Sequence, residues 1–188
     1  MGELLLVTGG ARSGKSRFAE RLAAASGRPV TYVATMEALD DEVRARIARH
    51  RAERPAVWTT VEAPIAIVEA VRGAAPDDCV LLDCLSLWAS NRLLALGEQA
   101  SIEALTDLER TLEAEIETLH AAARARSGDL ILVTNEVGSG LVPEYPLGRA
   151  YRDLLGRVNQ RAGTLAARAW LLVAGRALPL PPPDAPLT

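Results

Sequence analysis

The chain has 188 residues, of which 49% are apolar, 4% aromatic and 24% charged, and its net charge is -3. This length fits one domain whose core is built from Leu, Val, Ile and Ala, as is typical of helices packed on a parallel sheet. The slightly acidic balance argues against nucleic acid as a principal partner, because binding to a phosphate backbone needs a basic face. It leaves a nucleotide ligand open.

No apolar run approaches the roughly 20 residues that a membrane-spanning helix needs, so we expect no membrane span. Residues 4–7 are too short, and lack the basic flank, for a signal peptide. Cys79 and Cys84 lie five residues apart on one apolar run and therefore point to opposite faces of a strand, which excludes a bridge between them. We expect reduced thiols and a cytoplasmic protein.

Short β-branched or Leu-rich runs alternate with helical runs along the chain. Strands are predicted at residues 4–7, 30–34, 57–61, 79–83, 130–134 and 170–174. Helices are predicted at residues 15–26, 40–54, 64–71, 85–96, 102–119 and 147–169, the last bent at Gly156. This alternation predicts an α/β fold with a mostly parallel sheet flanked by helices. Residues 1–178 form its single domain, and the proline-rich residues 179–188 form a C-terminal tail.

The strongest motif lies between the first strand and the first helix. It matches G-x-x-x-x-G-K-[ST] and consists of Gly9, Gly10, Ala11, Arg12, Ser13, Gly14, Lys15 and Ser16. Glycines let successive backbone N–H groups point at phosphate oxygens, and the following helix adds its positive end. We predict that Lys15 reaches the β and γ phosphates and that Ser16 ligates Mg²⁺. The motif predicts a P-loop NTPase-type fold; the alternative is a glycine-rich turn with a chance lysine.

A second part of a magnesium site is expected where a buried strand ends. Asp83 follows Val80, Leu81 and Leu82, and an acid in that position can hold Mg²⁺ through water. The alternative is an ordinary strand-terminal aspartate that caps the next helix.

Two absences argue against a switch GTPase. The guanine-binding pattern Asn-Lys-x-Asp is missing after the strand at 130–134, where the chain reads Asn135-Glu136-Val137-Gly138. Asp83 is not followed by the expected glycine either. A small-molecule kinase and a nucleotidyltransferase remain.

One histidine lies in an unusual setting. His50 is on the predicted helix of residues 40–54, and the arginines around it are Arg46, Arg49, Arg51 and Arg54. The pattern is compatible with a solvated basic helix face. On the residues alone this is the favoured interpretation. The alternative is a neutral, nucleophilic imidazole, because nearby cations disfavour imidazolium and can neutralise a triphosphate.

Taken together, several segments resemble the family of bifunctional adenosylcobinamide kinases and adenosylcobinamide-phosphate guanylyltransferases of cobalamin biosynthesis. The matching segments are residues 6–16, 32–35, 40–42, 46–51 with 54–55, Trp58 with 60–62, 133–138 with 142–143, and 156–160. The likeness runs from about residue 4 to residue 175. The segment around His50 and the segment Thr134-Asn135-Glu136-Val137-Gly138 are more specific than the phosphate loop.

The resemblance implies two reactions. ATP or GTP phosphorylates the aminopropanol hydroxyl of adenosylcobinamide, and GTP then transfers GMP to the new phosphate, giving adenosylcobinamide-GDP and pyrophosphate. The second reaction passes through a GMP-histidine intermediate, a role that falls on His50. The resemblance also implies a homotrimer and one antiparallel edge strand. We therefore expect Mg²⁺ as cofactor and a corrinoid and purine nucleotides as substrates.

The resemblance further implies the residues of the nucleotide site. Beyond the phosphate loop they are Ala34, Thr35, Met36, Arg51, Ala52, Glu53, Arg54, Glu62 and Asp83, while the catalytic residues are His50 and Lys15. A carboxylate such as Glu62 can accept hydrogen bonds from guanine, although by itself it reads as a helix-flanking acid. Residues 85–96 and 136–146 are candidate corrinoid-side elements. Two other hypotheses remain: a kinase with a structural His50, and a non-catalytic nucleotide-binding module.

Overall fold

A computed structural model describes residues 1–37, 54–97 and 99–184 of the chain. Its strands are β1 (Leu4–Gly9), β2 (Val30–Ala34), β3 (Thr59–Glu62), β4 (Cys79–Asp83), β5 (Leu130–Asn135), β6 (Arg168–Val173) and β7 (Arg176–Leu180). The described helices are α1 (Lys15–Ala25), α2 (Ile67–Gly73), α3 (Leu85–Leu94), α4 (Ile102–Arg124) and α5 (Pro146–Leu165). The strands form one sheet in the order β3-β2-β4-β5-β1-β6-β7. All neighbours are parallel except β6 and β7, so the predicted α/β class is confirmed.

The strands β1, β2, β4 and β5 are buried on both faces, which explains why they are continuous apolar runs in the sequence. The α1 face, which packs against α1, carries Leu5, Val7, Val30, Tyr32, Cys79, Leu81, Ile131, Val133 and Leu172. The α4 face, which packs against α2 to α5, carries Leu4, Leu6, Val33, Val80, Leu82, Leu130 and Leu132. Because side chains alternate along a strand, the face of each strand residue is determined by its position.

The longest helix shows how the sequence pattern builds one of these faces. Along α4 the buried residues step by three or four positions: Leu108, Leu112, Ile116, Leu119 and Ala123. Ser101 begins the helix, since its hydroxyl accepts a hydrogen bond from the N–H of Ala104 at 3.2 Å. Full burial of each leucine or isoleucine contributes about 1.5–3 kcal/mol.

Three helices differ from the prediction by three or more residues at one end. The helix predicted to end at residue 119 continues to Arg124. The helix predicted from residue 64 begins at Ile67, because the carbonyls of Pro64 and Ile65 accept hydrogen bonds from Asn91 and Trp88 instead. The helix predicted to reach residue 169 runs through Gly156 and ends at Leu165. The residues after it pair with β1, starting with the hydrogen bond from Ala167 N to Leu4 O. The helix predicted at residues 40–54 lies outside the described residues apart from Arg54.

The C-terminal hairpin gives the sheet its antiparallel edge. Pro179 and Leu180, which the sequence assigned to the tail, pair with Trp170 and Ala169 as part of β7. Proline is tolerated there because an edge strand leaves one row of its N–H positions unpaired. Among the described residues, no helix is both long and apolar enough to cross a membrane.

Candidate nucleotide-binding site

The candidate site lies at the carboxyl ends of the central strands, where parallel α/β sheets bind ligands. Gly9, the last residue of β1, is in register with Asn135 of β5. Asp83, the last residue of β4, is in register with Val133 of β5 and with Ala34 of β2. The phosphate loop and the predicted magnesium ligand Asp83 therefore lie at the same carboxyl end of the sheet, with one strand, β5, between the two strands that carry them.

The phosphate loop requires glycine at two of its positions. A Cβ at Gly9 would lie 2.6 Å from the carbonyl oxygen of Leu172. Gly14 has φ +93°, a left-handed conformation, and a Cβ there would lie 3.3 Å from Gly175 Cα in the turn between β6 and β7. The same turn holds the loop through a 2.9 Å hydrogen bond from Gly175 N to Ser13 O. The C-terminal hairpin thus supports the loop from one side.

The start of α1 is suited to an anion. Gly14 is its N-cap, no side-chain hydrogen bond caps it within the described residues, and its first turn carries no acid. Its first N–H groups therefore have no partner within the helix and can bind phosphate oxygens. Lys15 donates from Nζ to Gly10 O at 3.3 Å, so its ammonium lies over the loop. Ser16 is in this same first turn, while Ala11 and Arg12 of the loop are exposed.

Asp83 is held by a phenol and not by the following helix. The hydroxyl of Tyr32 donates to Asp83 Oδ2 at 2.9 Å. Burial, and then the charge of Asp83, raise the pKa of Tyr32, which keeps the phenol protonated as a donor. The N-cap of α3 is Cys84, without a side-chain cap. The interpretation of Asp83 as a helix cap is therefore not supported by the geometry.

Arg54 packs on the ring face of Tyr32, the residue whose hydroxyl binds Asp83. Its guanidinium carbon lies 3.4 Å from the centre of the Tyr32 ring, and its side chain is only 8% exposed. Arg54 Nε is 3.9 Å from a carboxylate oxygen of Glu20 on α1. A buried guanidinium on an aromatic face is a fixed positive charge close to Asp83.

The turn after β4 is fixed by Thr35. Its hydroxyl bonds both the N–H and the carbonyl of Cys84, each at 2.8 Å, and its own N–H donates to Asp83 O at 3.2 Å. Asn91 donates to the carbonyl of Thr35 at 3.0 Å. Burial is the main cause that raises the pKa of the Cys84 thiol, so it stays neutral. The hydroxyl of Thr35 thus stabilises the turn at Cys84, which positions Asp83.

Glu62 also lies at the carboxyl end of the sheet, but farther from the phosphate loop than Asp83 does. It ends β3, the outermost strand on that side, and is in register with Ala34. Four strand spacings separate β3 from β1, roughly 19 Å at the usual spacing of strands. Glu62 lines an open, mostly apolar cavity of about 570 Å³ together with Ala63, Pro64, Ile65, Ala66 and Glu69.

The structure brings together most, but not all, of the predicted site residues. Ala34 and Met36 lie at and just beyond the carboxyl end of β2. His50, Arg51, Ala52 and Glu53 lie outside the described residues. Sequence reasoning missed Tyr32 as a partner of Asp83, and it did not assign Asn135 to the site. The signal for Asn135 was its place at the end of a strand, but only the sheet order puts that strand beside β1.

A glycine-rich loop between β1 and α1, with an acid at the end of the second strand over, defines a P-loop nucleotide-binding protein. The family model described as "Cobinamide kinase / cobinamide phosphate guanyltransferase" matches residues 5–180. The chain belongs to this family, and it is a transferase of cobalamin biosynthesis.

Individual relatives agree with that assignment. The chain is 45% identical over 175 residues to the bifunctional adenosylcobalamin biosynthesis protein CobU of Salmonella typhimurium, covering 92% of this chain and 96% of the relative. It is 43% identical to CobU of Escherichia coli, with the same coverage. It is 44% identical to CobP of Pseudomonas aeruginosa over 93% of this chain and 95% of that protein. Among solved structures, the RadB recombinase superposes with a TM-score of 0.49 at 16% identity, covering 90% of this chain and 74% of that one.

Proposed function

We propose that the protein phosphorylates adenosylcobinamide with ATP or GTP and then transfers GMP from GTP to adenosylcobinamide phosphate through a GMP-histidine intermediate at His50. The observation that carries the proposal is the phosphate loop with Lys15 and Ser16 on the same sheet edge as Asp83. Membership of a family with both activities supports two reactions in one chain.

The residues present fit a magnesium ion. Mg²⁺ prefers oxygen ligands and keeps several waters, so one hydroxyl and one carboxylate beside the phosphates are enough. Ser16 and Asp83 would supply them, since α1 packs against β4. The described residues contain no group of three or more His, Cys, Asp or Glu suited to a metal. Because one hydroxyl and one carboxylate leave most ligand positions of Mg²⁺ to water and phosphate oxygens, the ion would be shared with the nucleotide and would neutralise charge on its phosphates.

In the kinase step the chain's task is to position and to neutralise. The N–H groups of the loop and Lys15 hold the β and γ phosphates while the acceptor hydroxyl attacks the γ-phosphorus. A new P–O bond forms, the bond to the nucleoside diphosphate breaks, and the hydroxyl proton is lost to solvent.

In the transferase step His50 is the nucleophile. Its ring nitrogen attacks the α-phosphorus of GTP and pyrophosphate leaves; the phosphate of the acceptor then attacks the same phosphorus and the P–N bond breaks. Arg54 supports this role, because it lies buried beside Tyr32 and Asp83 and follows His50 by four residues. Four residues span at most about 14 Å. Arg51, Ala52 and Glu53 complete the proposed nucleotide contacts.

Two surfaces are proposed for the remaining parts of the substrates. Glu62 would accept hydrogen bonds from guanine at the rim of its apolar cavity. The loop after β5 exposes Leu141, Val142 and Tyr145, and these apolar side chains would contact the corrinoid. We further propose a single domain that contains residues 1–178 and the last two residues of β7, Pro179 and Leu180, which the sequence had assigned to the tail. A homotrimer, as the resemblance implies, and a cytoplasmic location are also proposed.

Covalent labelling tests the histidine. Incubation with α-labelled GTP and Mg²⁺ should leave label on the chain in an acid-labile, alkali-stable bond, as expected for a phosphoramidate. His50→Ala should abolish the label, whereas His120→Ala on α4 should keep it. Label that survives His50→Ala would remove the assignment. A kinase alone would give phosphorylated adenosylcobinamide and no covalent nucleotide, which product separation by mass would reveal.

A further inference from the structure

The amide oxygen of Asn135, at the end of β5, is not used by the described part of the fold. Its amide oxygen is buried and has no hydrogen-bond partner within the part of the chain that the structure describes. Buried polar atoms are nearly always paired, so such an atom indicates a missing donor. The donor must come from outside the described chain.

Asn135 lies between the two halves of the candidate site. The strand β5 separates β1, which leads into the phosphate loop, from β4, which ends at Asp83. Ile131 and Val133 of β5 lie on the α1 face, and so does Leu81 of β4. Alternation along each strand places Asn135 and Asp83 on that same face, on the side where α1 begins.

The backbone around Asn135 is held firmly. The N–H of Glu136 donates to Gly9 O at 3.1 Å, which ties the end of β5 to the first glycine of the loop. Asn159 on α5 donates to Asn135 O at 2.9 Å and accepts from the hydroxyl of Thr134 at 2.6 Å. These bonds fix the main chain and leave the amide oxygen of Asn135 without a donor.

The chemistry of the ligand limits what the donor can be. The oxygens of an ionised triphosphate are acceptors, so they cannot satisfy another acceptor. The ammonium of Lys15 is directed to Gly10 O. Water bound to a metal ion is a strong donor, and Mg²⁺ keeps several waters when it binds nucleotides.

We propose that Asn135 is a positioning residue of the magnesium–triphosphate site, and that its amide oxygen accepts a hydrogen bond from a water on the Mg²⁺ held by Ser16 and Asp83. This inference rests on the proposed function, because it needs the metal in that place. It assigns to Asn135 a role in Mg²⁺-dependent nucleotide affinity and none in holding the fold.

Calorimetric binding of α,β-methylene GTP, which cannot pass GMP to a histidine, tests the inference with Mg²⁺ and with EDTA. Asn135→Leu keeps the branched shape without polar atoms, and it should lose about tenfold in affinity with Mg²⁺ and little with EDTA. Asn135→Asp keeps an acceptor oxygen and should retain the Mg²⁺ dependence. If thermal melting shows that the leucine variant does not fold, Asn135→Ala replaces it in the same binding experiment, with the same expected result.

The matched control is Thr134→Val. It alters the neighbouring residue on the opposite face, so it should lower stability but leave the ratio of affinities with Mg²⁺ and EDTA at the wild-type value. Asp83→Asn and Ser16→Ala test the metal site itself. If they reduce the ratio while Asn135→Leu and Asn135→Ala do not, the inference is wrong and the proposed function stands.

Two further outcomes would also overturn the inference. If Asp83→Asn leaves the ratio unchanged, the proposed metal site fails and the role of Asn135 fails with it. If the Asn135 variants keep the ratio and lose only kinase turnover, the amide meets the acceptor hydroxyl and not a metal-bound water.

Discussion

At the scale of single residues, Tyr32 is the group whose role is best defined by its contacts. Its hydroxyl donates to Asp83 and its ring carries the guanidinium of Arg54. One phenol therefore orients the proposed magnesium ligand and a buried cation at once. Residues that orient a metal ligand are often as important to metal affinity as the ligand itself.

Tyr32→Phe should separate these two tasks, because it removes the hydroxyl and keeps the ring. We expect a loss of about 1 kcal/mol in the free energy of unfolding. We also expect a higher Mg²⁺ concentration for half-maximal activity, by roughly 10–100-fold. Tyr151→Phe is the control, since its hydroxyl donates to the carbonyl of Ser86 at 3.2 Å and contacts no proposed ligand. Equal Mg²⁺ requirements in the two variants would contradict the orienting role.

Cys79 makes stability depend on pH. Burial raises the pKa of this thiol to about 11, so the folded state keeps a proton that the unfolded state loses from about pH 8.5. The stabilisation is therefore complete below that pH and is lost as the pH rises towards 11. The advantage of wild type over Cys79→Ala in the free energy of unfolding should shrink by about 1.5 kcal/mol between pH 8.5 and 10. Denaturant titrations measure this, and parallel curves for the two proteins would disprove it.

At the scale of elements, the hairpin of β6 and β7 supports the phosphate loop. Gly175 in its turn bonds Ser13 and lies against Gly14, whose backbone is left-handed. Gly14→Ala should cost about 1–2 kcal/mol in stability and disturb the N–H groups that hold phosphate. Nucleotide affinity should fall with it in a calorimetric titration.

Gly27→Ala is the matched control for that change. Gly27 also has a left-handed backbone, with φ +67°, but it follows α1 and has no neighbour within 4 Å of an added Cβ. We expect a similar loss of stability and unchanged nucleotide affinity. If both variants lose affinity alike, the effect comes from global destabilisation.

Within the described part of the chain, the loop after β5 exposes three large apolar side chains, Leu141, Val142 and Tyr145. Leu141 is 96% exposed and Val142 is 65% exposed. Replacement of both by serine should raise the KM for adenosylcobinamide about tenfold and leave nucleotide affinity unchanged. The bound corrinoid would bury these two side chains, and the loss of two such apolar contacts costs a few kcal/mol at most. Ile102→Ser, at the start of α4, is the control for lost surface hydrophobicity. An unchanged KM would remove the loop from the corrinoid site.

Element boundaries show where sequence patterns suffice. The apolar runs of β1, β2, β4 and β5 predicted their positions to within two residues, since a strand buried on both faces must be apolar throughout. The start of α2 and the ends of α4 and α5 were misplaced. Partners more than twenty residues away in sequence hold Pro64, Ile65 and the segment before β6. The local periodicity of apolar residues does not predict such distant contacts.

At the scale of the whole molecule, the order of the strands makes the site. Insertion of β5 between β1 and β4 places Asn135 between the phosphate loop and Asp83. It also places Glu62 on the far edge, four strands from β1. The same pattern of alternating strands and helices is compatible with several strand orders. The distances among these residues therefore follow from the tertiary arrangement.

The sequence by itself determined the fold class, the phosphate loop and the family, because each depends on local periodicity or on a contiguous motif. Only the tertiary structure decided that Tyr32 holds Asp83, that Arg54 stacks on that ring, and that the amide oxygen of Asn135 lies buried without a donor. The two contacts of Tyr32 join residues that are 51 and 22 positions apart in sequence. The burial of the Asn135 oxygen depends on several packed elements. Such contacts arise when packing of the whole core selects one strand order, and no short segment of the chain encodes that choice.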